Sequence, residues 1–455
     1  MTRLIALASR VPTRARAPRA TVDRWGQALV TLIVLCWCAS LVIGFETALA
    51  ILTIVGFAAA IVGTFQPVLG LLGIGLLCTL DFVMNAFLFP GGLLRWNTFN
   101  YWLVLAALTS VPLLLKQRTL QYRLMQVVAV LLSLEVLVSP DWYRGLQDVA
   151  GIAAAFGLVV YFARVSDQAS VWYWLGVICG TTGAAGGLAF FIQQASLPSV
   201  NPNAWAFGPL TALFAICVAF PVARLWRRDP VVLVMLAAAN YALVFLSASR
   251  GTLLTATACG LFLLVQAHRV RGGWLVALTA VLVAVALTSQ FTDLQAHAVN
   301  RIRLLLNPQQ SLVNRTSGRS DLLVSGWNIF LDHPLGVGTG GFAVSRVDLN
   351  LARGQLSGWR SQEKKDAHTG WIKVLAENGL PGIALMGAYV LSFAVTGWRS
   401  RNRDLFLLGL LVTWAFSLGF ISTEYQSKGL WFLAAAVTVL LNPGSVLARN
   451  APRSE

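Results

Sequence analysis

Apolar stretches of about twenty residues recur from one end of this chain to the other, and no other feature restricts its fold so severely. An α-helix needs roughly 17–25 such residues to cross the hydrocarbon core of a bilayer. Only helices or closed barrels satisfy their own backbone hydrogen bonds there. The runs lack a two-residue alternation, so they read as helices. They predict fourteen spans: 26–45, 47–65, 68–88, 99–115, 124–140, 146–163, 171–192, 205–223, 230–248, 252–267, 274–289, 380–397, 405–421 and 429–447. Composition agrees, with 57% hydrophobic and 11% charged residues, against about 25% charge in soluble domains. The fold class expected is an all-α polytopic membrane protein of about 12–14 transmembrane helices.

Orientation follows from the positive charges. With a cytoplasmic N-terminus, the inner connections hold the six arginines from Arg3 to Arg24, then Lys116, Arg118 and Arg123, Arg164, Arg224, Arg227 and Arg228, Arg269 and Arg271, Arg399, Arg401 and Arg403, and Arg449 and Arg453. The short outer turns carry mostly single charges, among them Arg95, Arg144, Arg250 and Lys428. This is the positive-inside pattern, and it explains much of the net charge of +16 without a nucleic-acid partner. Residues 1–25 read as a basic cytoplasmic tail rather than a transit peptide, and 448–455 as a cytoplasmic C-terminal tail. All six cysteines fall inside spans, which leaves no disulfide framework for an outer loop and no zinc spacing.

One connection is long. Residues 290–379 form a polar loop expected on the outer, periplasmic face, between spans 26–289 and spans 380–447. It carries ten Lys and Arg against seven acids. Long loops inside compact proteins are usually functional, and this one shows order. Ser320 to Pro334 has apolar residues at helical spacing (Leu322, Leu323, Trp327, Phe330, Leu331), ended by His333-Pro334 because the residue before proline avoids the α region. Leu335 to Phe342 is a glycine-rich turn. Asp366 to Gly382 then reads as a short half-polar helix with Trp371, Ile372, Leu375 and Ala376 on one face, Gly379 as its cap and Pro381 opening the next span. Such a helix is expected at the membrane interface, its apolar face against lipid or other spans.

Three groups in this chain could carry chemistry. Arg250, in SASRG at the outer end of the ninth span, is an arginine at membrane depth and so a functional candidate. Arg319 opens the first loop helix, with Arg315 close by; guanidinium grips phosphate oxygens through paired hydrogen bonds. Taken alone these are as readily solvated surface cations, and Arg301 and Arg303 could serve equally. His368 starts the half-polar helix, and a free imidazole, titrating near pH ~6.5, can accept a hydroxyl proton at neutral pH. The chain has no metalloprotease, P-loop or nucleophile-elbow motif. GVGTGGF lacks the lysine and preceding strand of a phosphate loop, and the outer acids form no metal-binding cluster in the sequence.

Together, SRG at Arg250, GRSDLLVSGW (318–327), FLDHPLGVGTGGF (330–342) and AHTGWIKVLAENGLPG (367–382) resemble the O-antigen ligase and O-antigen polymerase superfamily of bacterial membrane glycosyltransferases. The resemblance implies a donor glycan on undecaprenyl pyrophosphate, and an acceptor that is a lipid A core sugar for a ligase or another lipid-linked repeat for a polymerase. It also implies metal-independent, inverting transfer without a cofactor, at the bacterial inner membrane. By the same resemblance Arg250 and Arg319 hold the pyrophosphate and His368 is the general base; Thr369 stands where the family commonly has Asn. A transporter or polysaccharide flippase is the competing expectation. It would work through ionisable groups near the midplane, whereas the acids placed within spans, Asp81 and Glu135, lie toward their outer ends.

Overall fold

The computed structural model describes residues 19–63, 65–87, 98–114, 116–194, 202–225, 230–247, 249–268, 319–352, 370–419, 428–443 and 445–449, with a few isolated positions between 282 and 303. Among them every regular element is helical. The chain is an all-α polytopic membrane protein.

The helices run α1 (Arg19–Ile43), α2 (Phe45–Val62), α3 (Pro67–Phe87), α4 (Thr98–Thr109), the single turn α5 (Val111–Leu114), α6 (Leu120–Glu135) with a 3-10 turn at Val136–Val138, α7 (Trp142–Arg164), α8 (Ala169–Gln194), α9 (Pro202–Leu225), α10 (Val231–Leu246) and α11 (Arg250–Ala267). After the long connection come α12 (Arg319–Asp332), α13 (Phe342–Ala352), α14 (Gly370–Arg399), α15 (Arg403–Gly419), α16 (Lys428–Leu440) and the short α17 (Val446–Arg449). Each apolar run of the sequence coincides with a helix, apart from 274–289, which lies almost wholly outside the described residues. Among the described residues, seven helices are long and apolar enough to cross a membrane, and four shorter apolar ones accompany them.

Helix α9 is the hub, almost wholly buried between α8, α10, α11, α3 and α16. That explains why its residues are apolar all round. Some polar side chains between helices are paired: Asn240 donates to the Gly180 carbonyl at 2.9 Å and Trp102 to the Tyr161 hydroxyl at 2.9 Å.

Antiparallel hairpins put the starts of α7, α11 and α14 at one end of the bundle, together with α12, α13 and the glycine-rich turn. We call this the loop-bearing end. The other end gathers Arg224, which donates to Gln266 at 2.7 Å and stands 3.8 Å from Asp404, and Arg164, which donates to Ser110 at 2.9 Å. Toward the loop-bearing end, Lys428 at the start of α16 lies 3.0 Å from Asp81 of α3, both buried. All six cysteines are free, five of them buried.

Three local readings change. The half-polar helix and the span after it form one element, α14, bent at Gly379, whose φ of 58° and ψ of −152° break the helix just before Pro381. On its first two turns the buried side chains include Lys373, Glu377 and Asn378, whereas Trp371, Ile372 and Leu375 are only half-buried. The segment does not simply lay an apolar stripe on lipid, because polar partners from α6, α7 and the glycine-rich turn receive its polar face. Arg250 opens α11 rather than ending α10, which stops at Leu246. Asp148 is a further acid within a span, fully buried in α7.

Candidate functional site

At the loop-bearing end the chain folds back on itself around the glycine-rich turn. Helix α12 stops at Asp332, and His333-Pro334 leads into a turn with positive φ at Gly336, Gly338 and Gly340 (93°, 92° and 87°). Side chains are strained in that region. At Gly340 a Cβ would also lie 2.3 Å from the Gly145 backbone nitrogen, so the turn can seat against the start of α7 only with glycine there.

The turn is stitched to α14 by main-chain bonds: Val337 N–H to the Ala376 carbonyl at 3.1 Å, Gly338 N–H to that of Glu377 at 2.9 Å, and Leu380 N–H to that of Pro334 at 3.1 Å. The Glu377 carboxylate, 1% exposed, accepts from the Gly340 N–H at 2.9 Å and the Phe342 N–H at 3.1 Å. Those amides are where a phosphate loop would hold its anion. Glu377 fills that place, so the turn is an anchor and does not form a nucleotide site.

Two further contacts tie the same segment to the spans. Asn378 donates to the Glu135 carboxylate at the end of α6 and to the Thr339 hydroxyl at 3.0 Å; that hydroxyl in turn lies 3.3 Å from Glu135. Lys373 Nζ is 2.8 Å from the Asp148 carboxylate of α7, with both side chains 0% exposed. A buried ion pair requires each partner to compensate the other's lost hydration. The start of α14 is thus held by an ion pair, an amide bridge and a carboxylate cradled by main-chain N–H groups.

The sequence-derived residues stand around this anchor. Arg319 is the first residue of α12, which packs on α14 and, through Leu322 and Ile329, on Phe342 and Ala376. Arg250 is the first residue of α11, whose N-cap Ser249 makes no side-chain capping bond. His368 and Arg315 lie outside the described residues; His368 precedes the first residue of α14 by two positions. Sequence reasoning did not single out Lys373, Asp148, Glu377, Asn378, Glu135 and Thr339 as a set. The available signal was an acid inside a span facing a half-polar helix that carries a lysine. The charges of Lys373 and Lys428 are met by buried carboxylates, whereas helix N-termini such as those at Arg250 and Arg319 suit anions.

Residues 231–387 match the family model described as O-antigen ligase. No curated protein matches the chain.

Proposed function

We propose, from that family match, that the protein is a membrane glycosyltransferase moving a glycan from undecaprenyl pyrophosphate to an acceptor hydroxyl at the periplasmic face of the bacterial inner membrane. The observation that carries this is the extent of the family match: residues 231–387 include Arg250, Arg315, Arg319 and His368 together.

In this reading the His368 imidazole takes the proton of the acceptor hydroxyl as its oxygen attacks the anomeric carbon. The bond from that carbon to the diphosphate breaks, and the electron pair leaves on undecaprenyl pyrophosphate. One displacement inverts the anomeric centre. Arg250 and Arg319, with Arg315, meet the charge that develops on the leaving group. Preorganised charge of this kind is often the largest contribution to catalysis. The N-terminal positions of Arg250 and Arg319 add the partial positive charge of α11 and α12 to the guanidinium groups. Since arginine supplies the neutralising charge, the scheme requires neither a metal nor a cofactor. The anchored start of α14 supports it too, because a base must be held in place to act.

Proteoliposomes carrying a labelled undecaprenyl-pyrophosphate glycan test the proposal. Label is expected to pass to a lipid A core acceptor if the protein is a ligase, or to a second lipid-linked glycan if it is a polymerase. Movement of the intact donor between leaflets without transfer to either would make it a flippase and overturn the proposal.

A further inference from the structure

Helix α12 is apolar on two sides. One sector, with Leu322, Ser325, Gly326 and Ile329, is buried against α13 and α14. A second holds Leu323, Val324, Trp327 and Leu331, all exposed; Val324 is 60%, Trp327 51% and Leu331 56% accessible. At 3.6 residues per turn these four fall within an arc of about 100°. Asp321 and Asp332 are also exposed and share the remaining arc. A loop helix surrounded by water has no reason to carry a second apolar sector, and contiguous exposed apolar patches mark interaction surfaces.

What covers the patch follows from its continuity with the lipid-facing surface of the bundle. After α12 the chain passes through Pro334, whose carbonyl accepts the Leu380 N–H at 3.1 Å. That bond sets Leu335, 76% exposed, beside Leu380, also exposed, where α14 resumes below its kink. The exposed side of α14 continues through Leu391, Val395 and Trp398. Exposed apolar residues thus extend from a span, over Leu380 and Leu335, to Leu331 and Trp327, with Asp332, His333 and Pro334 at the turn between them. Trp142 and Tyr143, both exposed, stand at the same end of the bundle, and such aromatic rings favour the headgroup level.

We propose that α12 is a membrane-interfacial helix. Its Leu323–Val324–Trp327–Leu331 face lies in the headgroup and acyl boundary of the lipid leaflet at the loop-bearing end, with Asp321 and Asp332 turned to water. A surface helix of this kind lies parallel to the membrane with its apolar side a few ångström deep, roughly 5–10 Å. The lipid surface, independent of any glycan donor, is the partner. One consequence bears on transfer: Arg319, at the start of this helix, is held at the depth of lipid phosphates.

The test uses the full chain in nanodiscs of phosphatidylethanolamine and phosphatidylglycerol without donor lipid. The exposed Cys38 is replaced by alanine, and single cysteines at V324C, W327C, L331C, D321C and D332C carry a nitroxide spin label. Labels at 324, 327 and 331 are expected to collide more with oxygen than with a water-soluble nickel chelate, and those at 321 and 332 the reverse. A nickel preference at 327 and 331 equal to that at 321 would overturn the proposal. So would protection of 327 and 331 from both reagents, since a protein partner or second copy would then cover the face. Each labelled variant is compared with the parent by thermal melting, and V324C with L331C suffices if W327C is unstable.

Discussion

Replacing His368 by alanine is expected to lower glycan transfer by about 10²–10⁴-fold, the usual contribution of a positioned general base, while the protein still reaches the membrane. The sign of its pH dependence follows from which form acts. Only the neutral imidazole can accept the hydroxyl proton, so in the unaltered protein transfer should fall on the acid side and level off at higher pH. The variant should lose that limb along with the rate. Donor KM should change little, because a base acting on the acceptor contributes to the transition state rather than to holding the diphosphate. Initial rates across pH in proteoliposomes check all three. A variant with full transfer and an unaltered pH profile would remove His368 from the mechanism.

The largest expected loss of stability comes from Asp148→Asn. Asp148 and Lys373 are both inaccessible to solvent and 2.8 Å apart. Removing one charge leaves the other buried without compensation, at a cost of about 3–5 kcal/mol. That is a large share of the ~5–15 kcal/mol that typically holds a domain together. Lys373→Met should cost a similar amount. The double variant Lys373→Met/Asp148→Leu should recover most of the loss, because apolar replacement of a whole buried pair is often neutral or stabilising. Thermal melting of the three variants in detergent checks the pattern. A loss in the double variant equal to the sum of the two single losses would show that the pair is not coupled.

Much of the architecture was legible because its signals are local. A run such as Val231–Leu246 has to be a helix wherever it sits in a membrane, and a loop helix ended by His333-Pro334 needs only the rule for residues before proline. Gly379 and Pro381 likewise announced the break in α14, although as the gap between two helices rather than a kink within one. The anchor was not legible, since its partners are distant in sequence. Nothing around Lys373 names Asp148, and nothing around Glu377 states that its carboxylate will receive the amides of Gly340 and Phe342. The pattern puts Trp371, Ile372, Leu375 and Ala376 on the contact face of α14; Ala376 is buried, but Lys373, Glu377 and Asn378 lie deeper than the other three because other elements supply their partners. For α12 the periodicity of Leu323, Trp327 and Leu331 was visible, but only the fold separates the side buried in protein from the side left exposed. The proposed phosphate ligands and base were reached through residue chemistry and family motifs, and helix starts at Arg250 and Arg319 are what the fold adds to them.

The segment carrying His368 is expected to face the periplasm, where a lipid-linked diphosphate can reach it. A cysteine introduced as S361C, with Cys38→Ala, tests this through a membrane-impermeant maleimide. Labelling is expected in intact spheroplasts, and added undecaprenyl-pyrophosphate glycan is expected to slow it. Labelling in inverted vesicles together with none in spheroplasts would put the loop on the cytoplasmic side and contradict the account.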